Sequence, residues 1–297
     1  RGMVCPNPGC PGHVTPISLA TIRREHAGGL RLWENDDVVP RPDDVFQERL
    51  YCIRWQEEDG KSRSGVRWHF CAPTSADLER EARVLALLQE RFEEWQEEGY
   101  IPTMRIESGY NTDQPIREKG WTHWHHLFTP RQLLLLGLLL ERGVDGSKSI
   151  NQIFITLLAL NRCLDYNSKL AGWNSGCDKS TNTFYNQALN TLNVFTSRSL
   201  TYLAVSWFSA IKPGSITVLS KISSVNARDL VDKCSIWITD PPYADAINYH
   251  ELSEFFLAWY EKSLKELFPD WPADSRRALA ITGTGKEFRR NMVEVYA

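Results

Sequence analysis

The stretch Ile238-Thr-Asp-Pro-Pro-Tyr243 constrains this chain more than any other part of its sequence. It follows a short apolar run, Ser235–Thr239, which predicts a β-strand. Two consecutive prolines exclude a helix and hold the backbone rigid directly after that strand. Apolar residues then recur at helical spacing over 252–267. Strand, rigid loop and helix in this order predict an α/β sheet with a functional site at the carboxyl ends of its strands.

The Asp-Pro-Pro-Tyr loop suits chemistry on an exocyclic amine whose lone pair is delocalised into an aromatic ring. Asp240 can accept a hydrogen bond from one N–H and the Pro241 carbonyl from the other, which localises the lone pair for attack on a sulfonium methyl group. Pro242 keeps the loop rigid, and Tyr243 offers a ring face for a flipped base. These four residues are the predicted catalytic set, and an ordinary strand-to-loop boundary is the alternative.

These residues resemble a known family. Asp240–Tyr243 is similar to the signature of amino-group DNA methyltransferases that use S-adenosylmethionine. Four stretches resemble the large adenine-specific DNA methylases with an internal zinc ribbon, namely Cys5–Cys10, Gly120–Trp124, Phe128–Gln132 and Asp240–Trp259. The resemblance covers nearly the whole chain but only the middle of the family's longer sequence, so we expect an internal fragment. Because members are often encoded beside bacterial anti-phage defence genes, it implies defence-system proteins as partners besides DNA.

The resemblance implies methyl transfer from S-adenosylmethionine to the N6 amine of adenine, on part of a Rossmann-like methyltransferase sheet. Cytosine N4 or an RNA base remains open as the target, and a non-catalytic nucleic-acid-binding zinc module is the alternative from another class. The family's Phe-x-Gly-x-Gly cofactor loop is absent, and the nearest stretch, Ile281-Thr-Gly-Thr-Gly285, follows the catalytic motif. No cofactor-binding residue is assigned, and we expect the chain alone to bind S-adenosylmethionine poorly.

Three regions are predicted along the chain. Residues 1–73 form a zinc-ribbon-like module, with a β-hairpin from the alternating runs Leu50–Gln56 and Val66–Cys71. Residues 74–210 form a mainly helical insertion, and residues 211–297 form a methyltransferase core segment that contains the catalytic loop. The predicted helices lie at about 78–95, 130–141, 150–165 and 252–267, and the predicted core strands are Ser215–Leu219 and Ser235–Thr239.

Four cysteines form a candidate zinc site. Cys5 and Cys10 stand near a metal-knuckle spacing. The apolar side chains of one hairpin strand are Tyr51, Ile53 and Trp55, and those of the other are Val66, Trp68 and Phe70. If these two apolar faces pair, the remaining thiols lie together on the opposite face. That face would carry Cys52 and Cys71, with His69 as a substitute ligand. The alternative is a set of unrelated free thiols.

Composition narrows the class of protein further. The chain has 34 Lys and Arg against 37 Asp and Glu, a net charge of −3, so contacts with nucleic acid must be local. No apolar run is long enough to span a membrane, and no leader is evident, which predicts a cytoplasmic protein without a membrane partner. The seven cysteines then favour metal binding or free thiols over disulfides. His123, His125 and His126 lack the spacing of one helical face, which favours packing over a metal site.

Overall fold

A computed structural model gives the fold of the chain. It describes residues 29–61, 65–174, 221–240, 247–281 and 285–296, together with residues 4, 7–9, 13–14, 18, 176, 179–184, 189 and 191. This described part mixes helices with two small antiparallel sheets, so the α/β class is confirmed at that coarse level. Both sheets in it are two-stranded and antiparallel, and the predicted parallel sheet is not among the described residues.

The elements follow one another in a simple order. The strands are β1 (Ile53–Glu58), β2 (Val66–Cys71), β3 (Trp173–Asn174) and β4 (Lys179–Ser180). The helices are α1 (Ser75–Glu97), α2 (Asp113–Lys119), α3 (Pro130–Asp145), α4 (Ile150–Tyr166), α5 (Tyr249–Leu252), α6 (Glu254–Leu267) and α7 (Gly285–Tyr296). Short 3-10 turns lie at Trp124–Leu127, Ala227–Asp229 and Arg277–Leu279. None of the helices described is long and apolar enough to cross a lipid bilayer.

The long helices begin where the sequence predicts. The Asp77 carboxylate accepts the Thr74 backbone N–H at 2.9 Å, and the Thr74 hydroxyl accepts the Asp77 N–H, which forms a capping box at the start of α1. Thr129 and Gln132 form the same box at the start of α3. The prediction at 150–165 is confirmed by α4, and the helix predicted at 252–267 is present but divided into α5 and α6.

The β1–β2 hairpin forms where alternation predicts it, with a different pairing of faces. Trp55 lies opposite His69, and Trp68 lies opposite Gln56. Residues directly opposite each other share a face of an antiparallel pair, so the apolar sides of the two strands do not coincide. The hairpin is therefore confirmed, whereas the predicted pairing of its faces is wrong.

An arginine occupies the centre of the aromatic face of this hairpin. The guanidinium carbon of Arg54 lies 3.9 Å from the ring centre of Trp68 and 5.9 Å from that of Phe70, both on the neighbouring strand. It also lies 5.7 Å from the ring centre of Trp173 in β3. Contacts of a cation with an aromatic face contribute about 0.5–1 kcal/mol at exposed sites. The observed register is the one that brings these rings around Arg54.

One hydrophobic core draws on all three predicted regions. Its residues from the first region are Trp33 and Val38, and α6 contributes Phe255 and Trp259. Helices α1, α3 and α4 supply ten of the remaining buried residues, and the connector between α1 and α3 supplies six. Helices α1 and α3 pack closely at Gly137 of α3, where an added Cβ would be 2.4 Å from the Trp95 ring of α1.

Helices α5 and α6 are tied to the connector before α2 by two buried carboxylates. The Arg277 guanidinium donates to both oxygens of Glu254, at 2.6 Å each, and to the Ser108 carbonyl at 3.0 Å. The Glu251 carboxylate accepts the backbone N–H groups of residues 110 and 111, at 2.9 and 2.7 Å. These hydrogen bonds fix the position of the α5–α6 pair on the core.

The strand predicted at Ser235–Thr239 is not formed. In the structure this segment has a bend at Ser235 and no regular secondary structure from residue 236 onward. A parallel strand obtains its hydrogen bonds only from neighbouring strands, and no strand flanks this segment in the described ranges. The other predicted core strand, Ser215–Leu219, lies outside the described residues.

Substitution of Gly137 tests the close approach of α1 and α3. We expect Gly137→Ala to lower the free energy of unfolding by about 1–3 kcal/mol, because its methyl group overlaps the Trp95 ring. That loss exceeds the gain of about 1 kcal/mol that Gly→Ala brings in an open helix. Urea denaturation followed by circular dichroism measures the change. Gly60→Ala, with no atom within 4 Å of the added Cβ, is the matched control. A stabilised Gly137→Ala variant would contradict the packing.

Candidate functional site

Of the four predicted catalytic residues Asp240–Tyr243, only Asp240 is among the residues that the structure describes. Its side chain is exposed, at the end of a segment without regular secondary structure that follows the 3-10 turn at Ala227–Asp229. The next three residues, Pro241–Tyr243, lie outside the described residues. Three apolar residues just before Asp240 are also exposed, Ile236 by 78%, Trp237 by 54% and Ile238 by 93%. The catalytic assignment of Asp240, Pro241, Pro242 and Tyr243 therefore stays a prediction.

Two of the four predicted zinc ligands lie at the open end of the β1–β2 hairpin. Cys52 and Cys71 are free thiols there. Because Cys71 pairs with Ile53, alternation places Cys52 on the other face, so the argument that put both cysteines on one face is wrong. Cys5 and Cys10 lie outside the described residues, and the rest of the described chain holds no group of three or more metal-ligating side chains. The zinc site stays a prediction from the sequence pattern.

Three histidines form a buried cluster, which confirms that they pack in the core. The Nδ1 atom of His126 accepts the backbone N–H groups of Thr122 and His123, at 3.1 and 3.2 Å. Its proton is therefore on Nε2, which donates to the Glu34 carbonyl at 3.0 Å. Both ring nitrogens of His125 lie against backbone carbonyls, 2.9 Å from Pro102 and 2.8 Å from Asn35.

Burial keeps these imidazoles neutral. It lowers the pKa of His123 to about 4 and that of His125 to about 3. It lowers the pKa of His126 further still, because the two neighbouring histidines oppose a charge on this ring. Protonation of His126 at Nδ1 would also break both hydrogen bonds from the backbone. The cluster is therefore a structural element that carries no charge at neutral pH.

A groove of about 730 Å³ runs between α4 and α6. The hydroxyl of Tyr260 in α6 donates to the side chain of Asn161 in α4, and the rings of Phe154 and Phe268 contact each other at 6.0 Å between centres. Later residues of α4 thus meet earlier residues of α6, so the two helices run in opposite directions. This size lies within the range of small-molecule sites in proteins.

Part of the groove lining is polar. Its polar lining residues are Asn161, Arg162, Asp165, Tyr166, Asn182 and Ser253. The Asp165 carboxylate accepts the Asn182 side-chain N–H at 2.8 Å and the Thr183 backbone N–H at 3.0 Å. Burial raises the pKa of Asp165. A carboxylate with a perturbed pKa in a cleft marks a candidate site, and the amide and guanidinium groups beside it can bind polar ligand edges.

The groove also has apolar lining residues, namely Leu158 of α4 and Phe256 and Leu257 of α6. Leu158 is 49% exposed, and Phe154, four residues earlier on α4, is 39% exposed. Residues four apart lie above one another on a helix, so exposed apolar surface continues along α4 beyond Leu158.

The sequence predicts the span of α4 but not the groove beside it. Phe154 and Leu158 lie outside the buried face of this helix. The four-residue spacing of these two residues is the sequence signal that could have revealed the groove. A helix that is apolar on a second side has a second apolar surface to cover. The polar residues of the groove carry no local motif.

Only Ile281 and Gly285 of the glycine-rich stretch at 281–285 are among the described residues. A 3-10 turn at Arg277–Leu279 precedes Ile281, and Gly285, at φ +54°, begins α7. A dinucleotide-type or methionine-binding turn requires a strand before the glycines, and Ile281 does not follow one. We therefore assign no residue of this chain to S-adenosylmethionine.

No protein-family model, curated protein or solved structure matches this chain. The resemblance to adenine-specific methylases therefore rests on the quoted motifs alone. The chemistry of the motif and the geometry of the groove carry the functional proposal.

The histidine cluster predicts a stability that depends on pH. The folded chain holds these pKa values below the value of about 6.5 expected in the unfolded chain. Below pH 6.5 the unfolded chain therefore binds protons that the folded chain rejects. The free energy of unfolding should fall by about 1.4 kcal/mol per pH unit for each such histidine.

Urea unfolding between pH 7 and about pH 5 measures this slope, since carboxylates titrate mainly below that window. His123→Asn keeps a side-chain N–H near the Thr122 hydroxyl and should reduce the slope. His69→Gln, at an exposed position of the hairpin, is the control and should leave it unchanged. A free energy that does not vary with pH in this window would show that the histidines are not buried neutral.

The zinc hypothesis is tested by elemental analysis. Protein purified without chelators should carry about one zinc ion, as closed structural sites do. Cys71→Ser should remove the metal and loosen the region around the hairpin, because metal binding supplies folding free energy in small modules. Cys234→Ser, at another exposed thiol, is the matched control and should retain it. Wild-type protein without zinc would refute the site.

Proposed function

We propose that this chain contains the catalytic loop of a DNA methyltransferase that modifies the N6 amine of adenine. The observation that carries the proposal is the motif Asp240–Tyr243 and its position. It lies between an exposed apolar segment and the α5–α6 pair, and Ser253 and Phe256, at the start of α6, line the groove. The motif is thus followed in sequence by a helix pair whose residues line a cleft.

We further propose that Ser235–Thr239 is a strand of a Rossmann-like sheet in the intact protein. Its residues Ile236, Trp237 and Ile238 form a continuous apolar run. Strands of parallel sheets are buried on both faces and are apolar in this continuous way. In that sheet the motif would follow the carboxyl end of the strand, where open α/β folds bind their ligands.

The role of each motif residue follows from the substrate amine. The Asp240 carboxylate accepts one N–H of the amine, and the Pro241 carbonyl accepts the other, so the nitrogen lone pair is directed away from the ring. Pro242 limits the freedom of the loop, and Tyr243 stacks on the flipped base. S-adenosylmethionine, when bound, supplies the electrophilic methyl group. Residues that hold this cofactor are not assigned in this chain.

The substrate and setting follow from the same proposal. DNA is the proposed partner, in the cytoplasm, with defence-system proteins as further partners. Cytosine N4 or an RNA base presents a similar exocyclic amine to Asp240 and remains the alternative substrate.

A non-catalytic nucleic-acid-binding zinc module is the second candidate. It is favoured by the exposed aromatic rings of the hairpin, since Trp55 is 46% and Phe70 69% exposed. Exposed rings of this kind can stack on unpaired bases.

Asp240→Asn in the intact protein tests the catalytic proposal. The substitution keeps the shape of the side chain but replaces one acceptor oxygen with an N–H donor. We expect single-turnover methylation of an adenine-containing duplex to slow by about 10²–10³-fold, by analogy with the loss of one hydrogen bond at a developing charge. Asp229→Asn, an exposed aspartate upstream of the motif, is the matched control and should methylate normally. Methylation by Asp240→Asn at the wild-type rate would refute the assignment.

Substitution of Tyr243 should affect the flipping of the base. Tyr243→Ala removes a stacking surface worth about 1–3 kcal/mol per base, so it should weaken the fluorescence change of 2-aminopurine on base flipping. Tyr243→Phe keeps the ring and should restore that signal. Equal signals from the two variants would show that Tyr243 does not contact the base.

A further inference from the structure

One face of the β1–β2 hairpin presents two exposed aromatic rings on the same strand. Trp68 and Phe70 are two residues apart in β2, so their side chains lie on one face, about 7 Å apart along the strand. Trp68 is 42% and Phe70 69% exposed. The register places Arg54 of β1 on the same face, directly opposite Phe70. These three residues form a small surface, which we call the Trp68–Phe70 face.

Arg54 holds the Trp68 ring in place. Its guanidinium carbon lies 3.9 Å from the ring centre of Trp68 and 5.7 Å from that of Trp173 in β3. A guanidinium at the shorter distance lies against one side of the Trp68 ring, so the exposed part of the ring faces away from Arg54. A flat ligand can stack there without displacing the guanidinium. A ring that is already fixed loses little conformational entropy when a ligand binds it.

Two exposed rings at this spacing suit unpaired bases of a nucleic acid. Sheets that recognise single strands place successive bases on aromatic side chains of one face. A base within a duplex is stacked between its neighbours, so its faces are covered until it leaves the stack. The geometry of the Trp68–Phe70 face therefore favours unpaired nucleotides over a duplex.

The charge of the hairpin favours the same ligand. Residues 49–71 carry five Lys and Arg against three Asp and Glu, a net charge of +2, whereas the whole chain has a net charge of −3. Arg54 places one of these positive charges beside both rings. Positive charge combined with exposed rings is how proteins bind single strands without reading their sequence. A phosphate backbone complements this charge, which an apolar protein partner would not.

We propose that the Trp68–Phe70 face binds an unpaired stretch of DNA. Successive bases stack on Trp68 and Phe70, and the charge of Arg54 attracts the phosphate backbone. Trp55 takes no part, because it lies opposite His69 on the other face of the hairpin. This inference rests on the proposed function, from which it takes DNA as the partner, and it adds the unpaired state of that DNA and the surface that holds it.

Fluorescence anisotropy of a labelled oligothymidylate of about ten nucleotides, titrated with the full chain without cofactor, tests the proposal. Trp68→Ala should weaken binding about 5–150-fold, because one base loses its stacking ring. Trp55→Ala is the matched control, since it removes the same residue type, 46% exposed, from the other face of the same hairpin, and it should bind as tightly as the wild type. Wild-type protein that does not bind, or equal affinities of the two variants, would overturn the proposal.

Two further variants separate stacking from damage to the hairpin. Trp68→Phe keeps an aromatic ring and should bind nearly as tightly as the wild type. Phe70→Ala leaves the contact between Arg54 and Trp68 in place and should weaken binding by a factor similar to that of Trp68→Ala. Circular dichroism of each variant reports whether the fold is kept. Folded Phe70→Ala protein with wild-type affinity would contradict the proposed stacking.

The salt dependence of binding tests the role of Arg54. The logarithm of the affinity should fall linearly with the logarithm of the salt concentration. Arg54→Gln should reduce this slope by about 0.7, the contribution of one charge that neutralises a phosphate of a single strand. A purely structural role would lower the affinity and leave the slope unchanged, and that result would contradict the proposed electrostatic contact.

Competition with other nucleic acids tests the choice of ligand. The duplex of the same oligothymidylate with its complement should bind more weakly than the single strand. Equal binding of the duplex would overturn the proposal, and tighter binding of an oligouridylate of the same length would show that RNA is the ligand. Asp240→Asn should bind the single strand normally, because Asp240 does not belong to the hairpin. The binding assay therefore fails or succeeds independently of the methylation assay.

Discussion

The hydrogen bonds of the buried histidines to the backbone hold this fold together. His126 accepts two N–H groups of its own turn and donates to the Glu34 carbonyl, which ties the segment near residue 34 to the connector before α3. Gly120 allows the two backbones to meet, since at φ +76° an added Cβ would lie 2.1 Å from the Arg31 carbonyl. A buried polar group without such a partner costs about 1–3 kcal/mol. The N-terminal segment, the connector and the helices therefore share one core.

A feature of this fold could be predicted from the sequence when the residues that cause it are neighbours in the chain. The capping box of Thr74 and Asp77 is made by neighbours in the chain, and the start of α1 was predicted correctly. The register of the hairpin was predicted wrongly. It depends on the contact between Arg54 and Trp68, which joins two strands, and alternation alone leaves the register open. The strand at 235–239 failed for a related reason, since an apolar pattern cannot show whether partner strands are present.

The same difference between local and long-range causes applies to the candidate site. The motif at Asp240 is visible in the sequence because its chemistry lies in adjacent residues. The groove is not visible, because it joins residues such as Asn161 and Tyr260 that lie 99 positions apart. Neither residue belongs to a motif, and only the packing of α4 against α6 brings them together.

A catalytic loop for a weak nucleophile needs a rigid support, because an acceptor that is misplaced by about 1 Å can lose 10²-fold in rate. Two consecutive prolines restrict the backbone of such a loop, but they cannot fix its position relative to the rest of a protein. That position depends on what packs against Ile236 and Ile238, the exposed apolar residues just before Asp240. We propose that a parallel sheet of the methyltransferase supplies this packing, because strands of such a sheet are buried on both faces.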